Sequence, residues 1–245
     1  MAKLFNKIRK NLVSEKPSVS RTSKYLKYAI GEIVLVVIGI LIALSINNWA
    51  ESKKEDKVLK NIYSVIVKDL KNDINDIDEI LKNYEDKKPV FNKVLDGKMT
   101  KEDYLKCPEC LRLITGYPDL SLDVRGYNLL NNHKNISENN KDSLTANIVQ
   151  FYTEQLYEIN INEEQKGEDF GNNYQYWKNN YSWFSDFATR RNTAGFIEYA
   201  VNSQDYKNRV GMQYLINYDV LLLQYADFKK NAENLIGRIE TKNTN

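Results

Sequence analysis

The feature that most constrains this chain is an uncharged apolar stretch near its N-terminus. Residues 33–50 carry no charged side chain and are mostly Ile, Val and Leu. Counted from 29 to 49, the stretch would make a helix about 31 Å long, close to the ~30 Å thickness of the bilayer hydrocarbon core. We therefore predict a single transmembrane helix over residues 29–49.

The residues that flank this stretch predict its orientation. Tyr25 and Tyr28 lie at one end and Trp49 at the other, where aromatic side chains favour the membrane interfaces. The charged residues before Tyr28 are one acid, Glu15, and the bases Lys3, Lys7, Arg9, Lys10, Lys16, Arg21, Lys24 and Lys27. Because basic segments resist translocation, we expect a cytoplasmic tail at 1–28 and an extracytoplasmic domain at 50–245.

Two other interpretations of the apolar stretch share some of these features. A cleaved signal peptide also has a basic start and an apolar core, and Ala43-Leu44-Ser45 resembles a small-residue cleavage site. Such a leader would be unusually long, and Glu32 interrupts its start. The core helix of a soluble protein would also be apolar, but here the apolar residues cover all faces. The anchor is therefore the interpretation we favour.

The tail itself carries a helical pattern. Leu4, Phe5, Ile8 and Leu12 recur at helical spacing, with basic residues on the other faces. This pattern is typical of an amphipathic helix that lies on the anionic inner leaflet. A disordered basic tail is the alternative. In either case membrane lipid is an expected partner.

One charged residue lies at the cytoplasmic edge of the predicted span. Helical spacing places Glu32 on one face with Val36, Gly39 and Ala43, and the last two form a small-xxx-small pair that allows close helix approach. Our hypothesis is that this face packs against a second copy or a partner subunit, with Glu32 paired to a cation. The alternative is that Glu32 reaches back to interfacial water beside Lys27.

The remainder of the chain has helical periodicity and no competing strand pattern. Apolar residues recur at spacings of three and four over 55–84, from about 141 onwards and over 203–242. Region 101–131 is expected to form short helices broken near two prolines, with Thr100 as an N-cap. We therefore predict an all-α fold, a transmembrane helix followed by an antiparallel helical bundle.

An aromatic stripe marks the third of these regions. Past a polar stretch after Leu156, large rings recur at helical spacing, namely Phe170, Tyr174, Trp177, Tyr181 and Phe184. Rings of this size usually fill the core of a bundle. The alternative is that they line a cleft for a sugar or peptide.

The two cysteines form the one motif with recognisable chemistry. Cys107 and Cys110 enclose Pro108 and Glu109, and in an oxidising compartment a local structural disulfide is the expected state. Unpaired or intermolecular thiols, a redox couple and a metal site are the alternatives. A zinc site would need more ligands, and the chain has a single histidine, His133.

Two further groups of polar residues are expected at the surface. His133 lies in a polar turn and has no recognisable catalytic partner. A charged surface run, able to bind a cation or a partner at most, is formed by Glu163, Glu164, Glu168 and Asp169. We identify no phosphate-binding loop, nucleophile elbow or acid–base pair, so no catalytic, cofactor or metal residue is assigned and no enzyme activity is expected.

Several segments resemble a known family. The run 24–49, with 7–12 before it, is similar to the hallmark of a family of bacterial membrane proteins classed as a domain of unknown function. Segments 124–128, 142–144 and 150–152 resemble a second signature of that family, a short helix, a loop and a helix that ends in a Tyr-rich stretch. The resemblance implies a Gram-negative inner-membrane protein with a periplasmic helical domain, and it transfers no catalytic residues.

These observations predict an interaction or scaffold protein of the cell envelope, a subunit of a homo- or hetero-oligomeric membrane complex. Its partner would be a membrane or periplasmic protein, including a second copy of itself. A net charge of only +2 gives no reason to expect nucleic acid. The alternatives are a periplasmic ligand sensor that signals through a partner and an envelope thiol oxidoreductase.

Overall fold

The computed structural model describes residues 20–116, 119–133 and 143–244, and all regular elements in these ranges are helical. The predicted tail helix at Leu4, Phe5, Ile8 and Leu12 lies outside the described residues. The elements are α1 (Ser20–Leu95), α2 (Lys101–Lys106), a 3₁₀ helix (Pro108–Arg112), α3 (Arg125–Asn131), α4 (Ser143–Asn180), α5 (Phe184–Ala188), α6 (Ala194–Asn202), α7 (Gln204–Tyr214), a π-helical segment (Leu215–Leu221) and α8 (Leu222–Thr244). The all-α prediction is therefore confirmed for the described part of the chain.

The chain divides into two compact units after Val58. In the first unit, every side chain from Tyr25 to Lys54 is exposed. Within the described ranges, α1 is the one helix that is long and apolar enough to cross a membrane. Among the described residues, the apolar side chains of this unit are therefore left exposed.

The second unit begins at Leu59 and buries its apolar residues in one core. From α1 this core receives the residues at spacings of three, four and seven, namely Ile62, Ile66, Leu70, Ile77, Ile80, Tyr84 and Phe91. The predicted helix at 55–84 is confirmed, but it extends to Leu95 and runs through Pro89. Pro89 is tolerated on the exposed face of the helix, where water can replace the missing backbone hydrogen bond.

The end of α1 and the start of α2 follow from local chemistry. Gly97 has φ +69°, a left-handed conformation that glycine adopts without strain. Its N–H donates to the Val94 carbonyl at 2.9 Å, which closes the last turn. Thr100 then caps α2: its hydroxyl accepts from the Asp103 N–H at 3.2 Å, and the Asp103 carboxylate accepts from the Thr100 N–H at 2.8 Å. The predicted N-cap is confirmed.

The last two helical regions differ from the predictions. The helical pattern was expected to pause over the polar stretch between Leu156 and Phe170 and then resume, but α4 runs unbroken from Ser143 to Asn180. The region 203–242 was predicted as one helix, but it contains the π-helical segment Leu215–Leu221 between α7 and α8. Polar side chains of α4 and of this region pair with each other in both places.

Candidate functional sites

The predicted packing face of the anchor is open in the single chain. Glu32, Val36, Gly39 and Ala43 are all exposed. A Cβ atom placed on Gly39 would meet no atom within 4 Å, so there is room for a closely approaching helix. The interfacial candidates Tyr25, Tyr28 and Trp49 are likewise exposed. The packing of this face against another helix stays a prediction.

The cysteines lie where α2 gives way to the 3₁₀ helix. Cys107 and Cys110 are joined by a disulfide in the structure. The Cys110 N–H donates to the Cys107 carbonyl at 3.0 Å, and Pro108 occupies the first position of the 3₁₀ helix. Cys110 is buried and Cys107 is half-buried, so the two sulfurs differ in their access to other molecules.

The aromatic stripe is part of a larger cluster around Trp177. Trp177 is fully buried, and its indole N–H donates to the Tyr199 hydroxyl at 3.0 Å. The Tyr199 hydroxyl donates in turn to Asp205 at 2.5 Å. The rings that surround Trp177 come from α4 and from the segments after it, namely Tyr174, Trp183, Phe187, Phe196, Tyr199 and Tyr206.

The cluster around Trp177 belongs to the core, but Trp177 is the one stripe residue that is buried, and the other four are half-buried. Tyr181 and Phe184 lie outside α4, so the stripe does not continue along one helix. Phe187 and Phe196 stack with ring centroids 4.2 Å apart, although neither belongs to the stripe. Sequence periodicity missed these rings because α5 and α6 are too short to give a clear period.

A layer of polar side chains lies between α4 and the region that contains the π-helical segment. Gln213 donates to the Asp169 carboxylate at 2.7 Å, and Arg209 donates to the side-chain amide oxygen Oδ1 of Asn173 at 2.8 Å. Asn217 is buried and donates to the Gln213 main-chain carbonyl at 2.7 Å. Each of these contacts satisfies a buried polar group, which explains why a polar stretch of sequence can continue as a helix.

Deeper in the core, α4 carries a buried ion pair. Lys166 is fully buried and its ammonium lies 2.8 Å from the Glu163 carboxylate. The Tyr225 hydroxyl donates to the same carboxylate. Burial lowers the pKa of Lys166 and raises the pKa of Glu163, and in each case the partner's charge acts in the opposite direction.

Two predictions of exposed residues need correction. Within the acidic run, Glu164 and Glu168 are exposed, but Glu163 and Asp169 are half-buried and hydrogen-bonded. His133 is half-buried after α3 rather than fully exposed. The sequence gives no local sign of these contacts, because the partners of Glu163 and Asp169 on other elements lie more than forty residues away.

Two buried aspartates of α1 accept hydrogen bonds from the main chain around the start of α3. Asp69 accepts from the Gly126 N–H at 2.6 Å, and Asp73 accepts from the Asp123 N–H at 2.8 Å. A Cβ atom at Gly126 would lie 2.7 Å from the backbone nitrogen of Ile66, so this close approach requires glycine. Sequence analysis did not identify either aspartate as a candidate.

Comparison with known proteins gives one match. A family model described as "Family of unknown function (DUF6090)" matches residues 32–217, which is more than half of the chain. No curated protein and no solved structure matches the chain. The matched residues include the disulfide, the aromatic cluster, the two aspartates and the start of the π-helical segment.

Proposed function

Since this chain belongs to DUF6090, a family of unknown function, we propose from its own structure that it is a membrane-anchored interaction or scaffold protein of the cell envelope. Residues 29–49 span the inner membrane, residues 1–28 are cytoplasmic and residues 50–245 are periplasmic. The protein acts as a subunit of a homo- or hetero-oligomeric membrane complex. The observation that carries the proposal is the uninterrupted exposure of the side chains from Tyr25 to Lys54.

The apolar part of this surface is far larger than a protein in water normally exposes. The large apolar residues of the stretch are each about half exposed or more, among them Ile33, Leu35, Val36, Ile40, Leu41, Leu44 and Ile46. Monomeric soluble proteins rarely expose contiguous apolar patches beyond a few hundred Å². In a membrane this exposure carries no free-energy penalty, because the hydrocarbon tails solvate apolar side chains on every face of a helix.

The orientation of the anchor can be tested directly. Protease added to intact spheroplasts is expected to digest residues 50–245 and to spare an N-terminal tag. A tag that is cleaved while the remainder is protected would reverse the proposed topology. Recovery of the mature protein in a fully soluble fraction would remove the anchor from the proposal.

The second unit is proposed to be an antiparallel helical bundle. Asn162 on α4 bonds to Gln224, whereas Asp169, further along α4, bonds to Gln213. As residue numbers rise along α4, the numbers of their partners fall, which supports opposite directions for α4 and the region 213–224. Long helices in this arrangement offer extended side surfaces for a protein partner.

The proposed subunit contact can be tested in the anchor. A bacterial two-hybrid assay with cytoplasmic N-terminal fusions of the full chain should detect self-association that Gly39→Ile and Glu32→Ala weaken. Gly31→Ile is the matched control, because it makes the same change about 100° of helix rotation away from the face. Equal signals from Gly39→Ile, Glu32→Ala and the unchanged chain would discard this face as a self-association surface.

One observation favours a second candidate, thiol–disulfide exchange. Cys107 is the more accessible sulfur of the disulfide. A thiolate of a partner dithiol would attack Cys107, form a mixed disulfide and release Cys110 as a thiolate. Attack by the second partner thiolate would then release Cys107, so the partner is oxidised and this chain is reduced. In Cys110→Ser, the remaining Cys107 thiolate can attack the disulfide of the oxidised partner, the reverse of the second step, and release one partner thiolate. Because Cys110 is absent, this variant should accumulate mixed disulfides in cells, and Cys107→Ser should not.

A further inference from the structure

Asp69 and Asp73 lie one helical turn apart on α1 and are both buried, with 2 % and 1 % of their surface exposed. Asp69 uses both carboxylate oxygens, one for the Gly126 N–H at 2.6 Å and one for the Arg125 guanidinium at 3.3 Å. These contacts hold the start of α3 against α1. Both oxygens of Asp69 therefore have hydrogen-bond partners, and the role of this carboxylate is structural.

Of the two carboxylate oxygens of Asp73, one has a hydrogen-bond partner and the other has none. Its Oδ1 accepts from the Asp123 N–H at 2.8 Å, whereas its Oδ2 is buried without a hydrogen-bond partner. The hydroxyl of Tyr152, which comes from α4, is also buried without a partner. A carboxylate oxygen without a partner is costly inside a protein, because water no longer solvates its charge.

The charged surroundings of Asp73 favour its neutral form. The titratable groups that act on it are Asp69 and Asp76 of α1 and Asp123 of the connecting segment, all acids. Tyr152 is in turn affected by Asp73, Asp69 and Asp123. Arg125 is directed to Asp69 and is itself exposed. The pKa of Asp73 is raised to about 7, chiefly by burial and also by the three acids, while the Asp123 N–H lowers it.

The missing partner of Asp73 fits a proton better than a metal ion. A metal ion needs several converging ligands, and the described residues contain no group of three or more His, Cys, Asp or Glu side chains placed to hold one. Both Asp69 oxygens already accept hydrogen bonds. A single proton on Oδ2 removes the charge and converts the oxygen into a donor.

We propose that Asp73 is a proton-binding site that sets how firmly residues 119–131 are held against α1, so that the second unit responds to pH in the neutral range. With the proton bound, Oδ1 still accepts from Asp123 and no charge is buried. When the proton leaves, a buried carboxylate is repelled by the three acids Asp69, Asp76 and Asp123. Opening of the 119–131 segment then exposes it to water and relieves the repulsion.

The direction of the pH effect follows from linkage. In the closed state Asp73 holds its proton up to about pH 7, whereas in an open, solvated state an aspartate releases it near pH ~4. The closed state therefore binds more protons between these values. Closure is strongest at the acidic end, weakens as the pH rises towards 7 and changes little above it.

Hydrogen exchange of the full chain in lipid nanodiscs tests the proposal. Between pH 5.5 and pH 8, after correction for intrinsic exchange, we expect the opening of peptides from 119–131 to increase on the order of tenfold. Peptides from 170–180 of α4 should show no comparable change. Asp73→Asn should remove most of the pH dependence, because the amide cannot titrate. Asp76→Asn, an exposed aspartate on the same helix, should retain it.

A pH-independent opening in the unchanged chain would overturn the proposal, as would an equal pH dependence in Asp73→Asn. Should Asp73→Asn fail to fold, carboxyl ¹³C NMR of the unchanged chain decides. A buried aspartate that titrates near pH 7 supports the site, and a set of aspartates that all titrate below pH 5 contradicts it. If calcium at pH 8 restores closure to its level at pH 5.5, the site binds a cation and the proton assignment is wrong.

Discussion

The two units of this molecule have opposite surfaces and interiors. In the first unit, apolar side chains from Tyr25 onwards are exposed and nothing buries them. In the second unit, apolar residues form the core, and even ionisable groups such as Lys166 and Asp73 are buried with them. With the proposed topology, the difference reflects the solvent of each unit: hydrocarbon accepts apolar surface, whereas water requires it to be covered.

The two units also differ in how they treat charged side chains. Lys166 is accompanied by Glu163, and Asp69 by two hydrogen-bond donors, so burial there is compensated. The first unit, by contrast, contains no charged residue from Ile33 to Ala50 that would need such compensation. Three sets of substitutions test this difference between the exposed apolar unit and the packed unit.

The largest effect is expected from charges in the anchor. Ile38→Lys combined with Ile42→Lys should cost about 6 kcal/mol of membrane insertion, roughly what the remaining apolar residues of the stretch contribute. The protein should largely leave the membrane fraction in cell fractionation. The control is Leu105→Lys with Leu223→Lys, two exposed leucines of the second unit, for which we expect unchanged fractionation and stability effects of about 0.5 kcal/mol each or less. Equal partition of both double variants would break the comparison.

The next effect concerns the buried ion pair. Lys166→Met should destabilise the second unit by about 3 kcal/mol, because Glu163 loses its partner while it stays largely buried. The measurement is urea unfolding of the full chain in detergent, followed by circular dichroism. Adding Glu163→Gln should recover part of the loss. If the double variant is as unstable as Lys166→Met, the cost lies in packing and not in the unpaired charge.

The smallest of the three effects comes from the close approach at Gly126. Gly126→Ala should destabilise by about 1–3 kcal/mol, since its Cβ would meet the Ile66 backbone and force α3 away from α1. Gly171→Ala is the matched control, because no atom lies within 4 Å of its Cβ position. That control should stabilise α4 by roughly 0.5–1 kcal/mol. Thermal unfolding of both variants measures the difference, and a neutral Gly126→Ala would show that α3 can shift without cost.

Local patterns were sufficient to predict much of the fold. The apolar stretch, the helical periodicity of 55–84 and the cap at Thr100 depend on neighbours within a few residues, and the structure contains each as an element. The aromatic stripe was also predicted as core, but its neighbours from α5 and α6 were not. Short helices contribute too few turns for a period to be recognised.

The amino-acid sequence by itself determined which segments are helical and which one is suited to lipid, because both properties follow from side chains close together in the chain. Only the tertiary structure decided that Glu163 and Asp169 are half-buried, that α4 continues through its polar stretch and that Asp73 lacks a partner for one oxygen. These outcomes depend on groups about forty or more residues away. The identity of a polar side chain does not say whether it will face water or a buried partner. Its contribution to the stability of the fold is therefore decided only once the helices have packed.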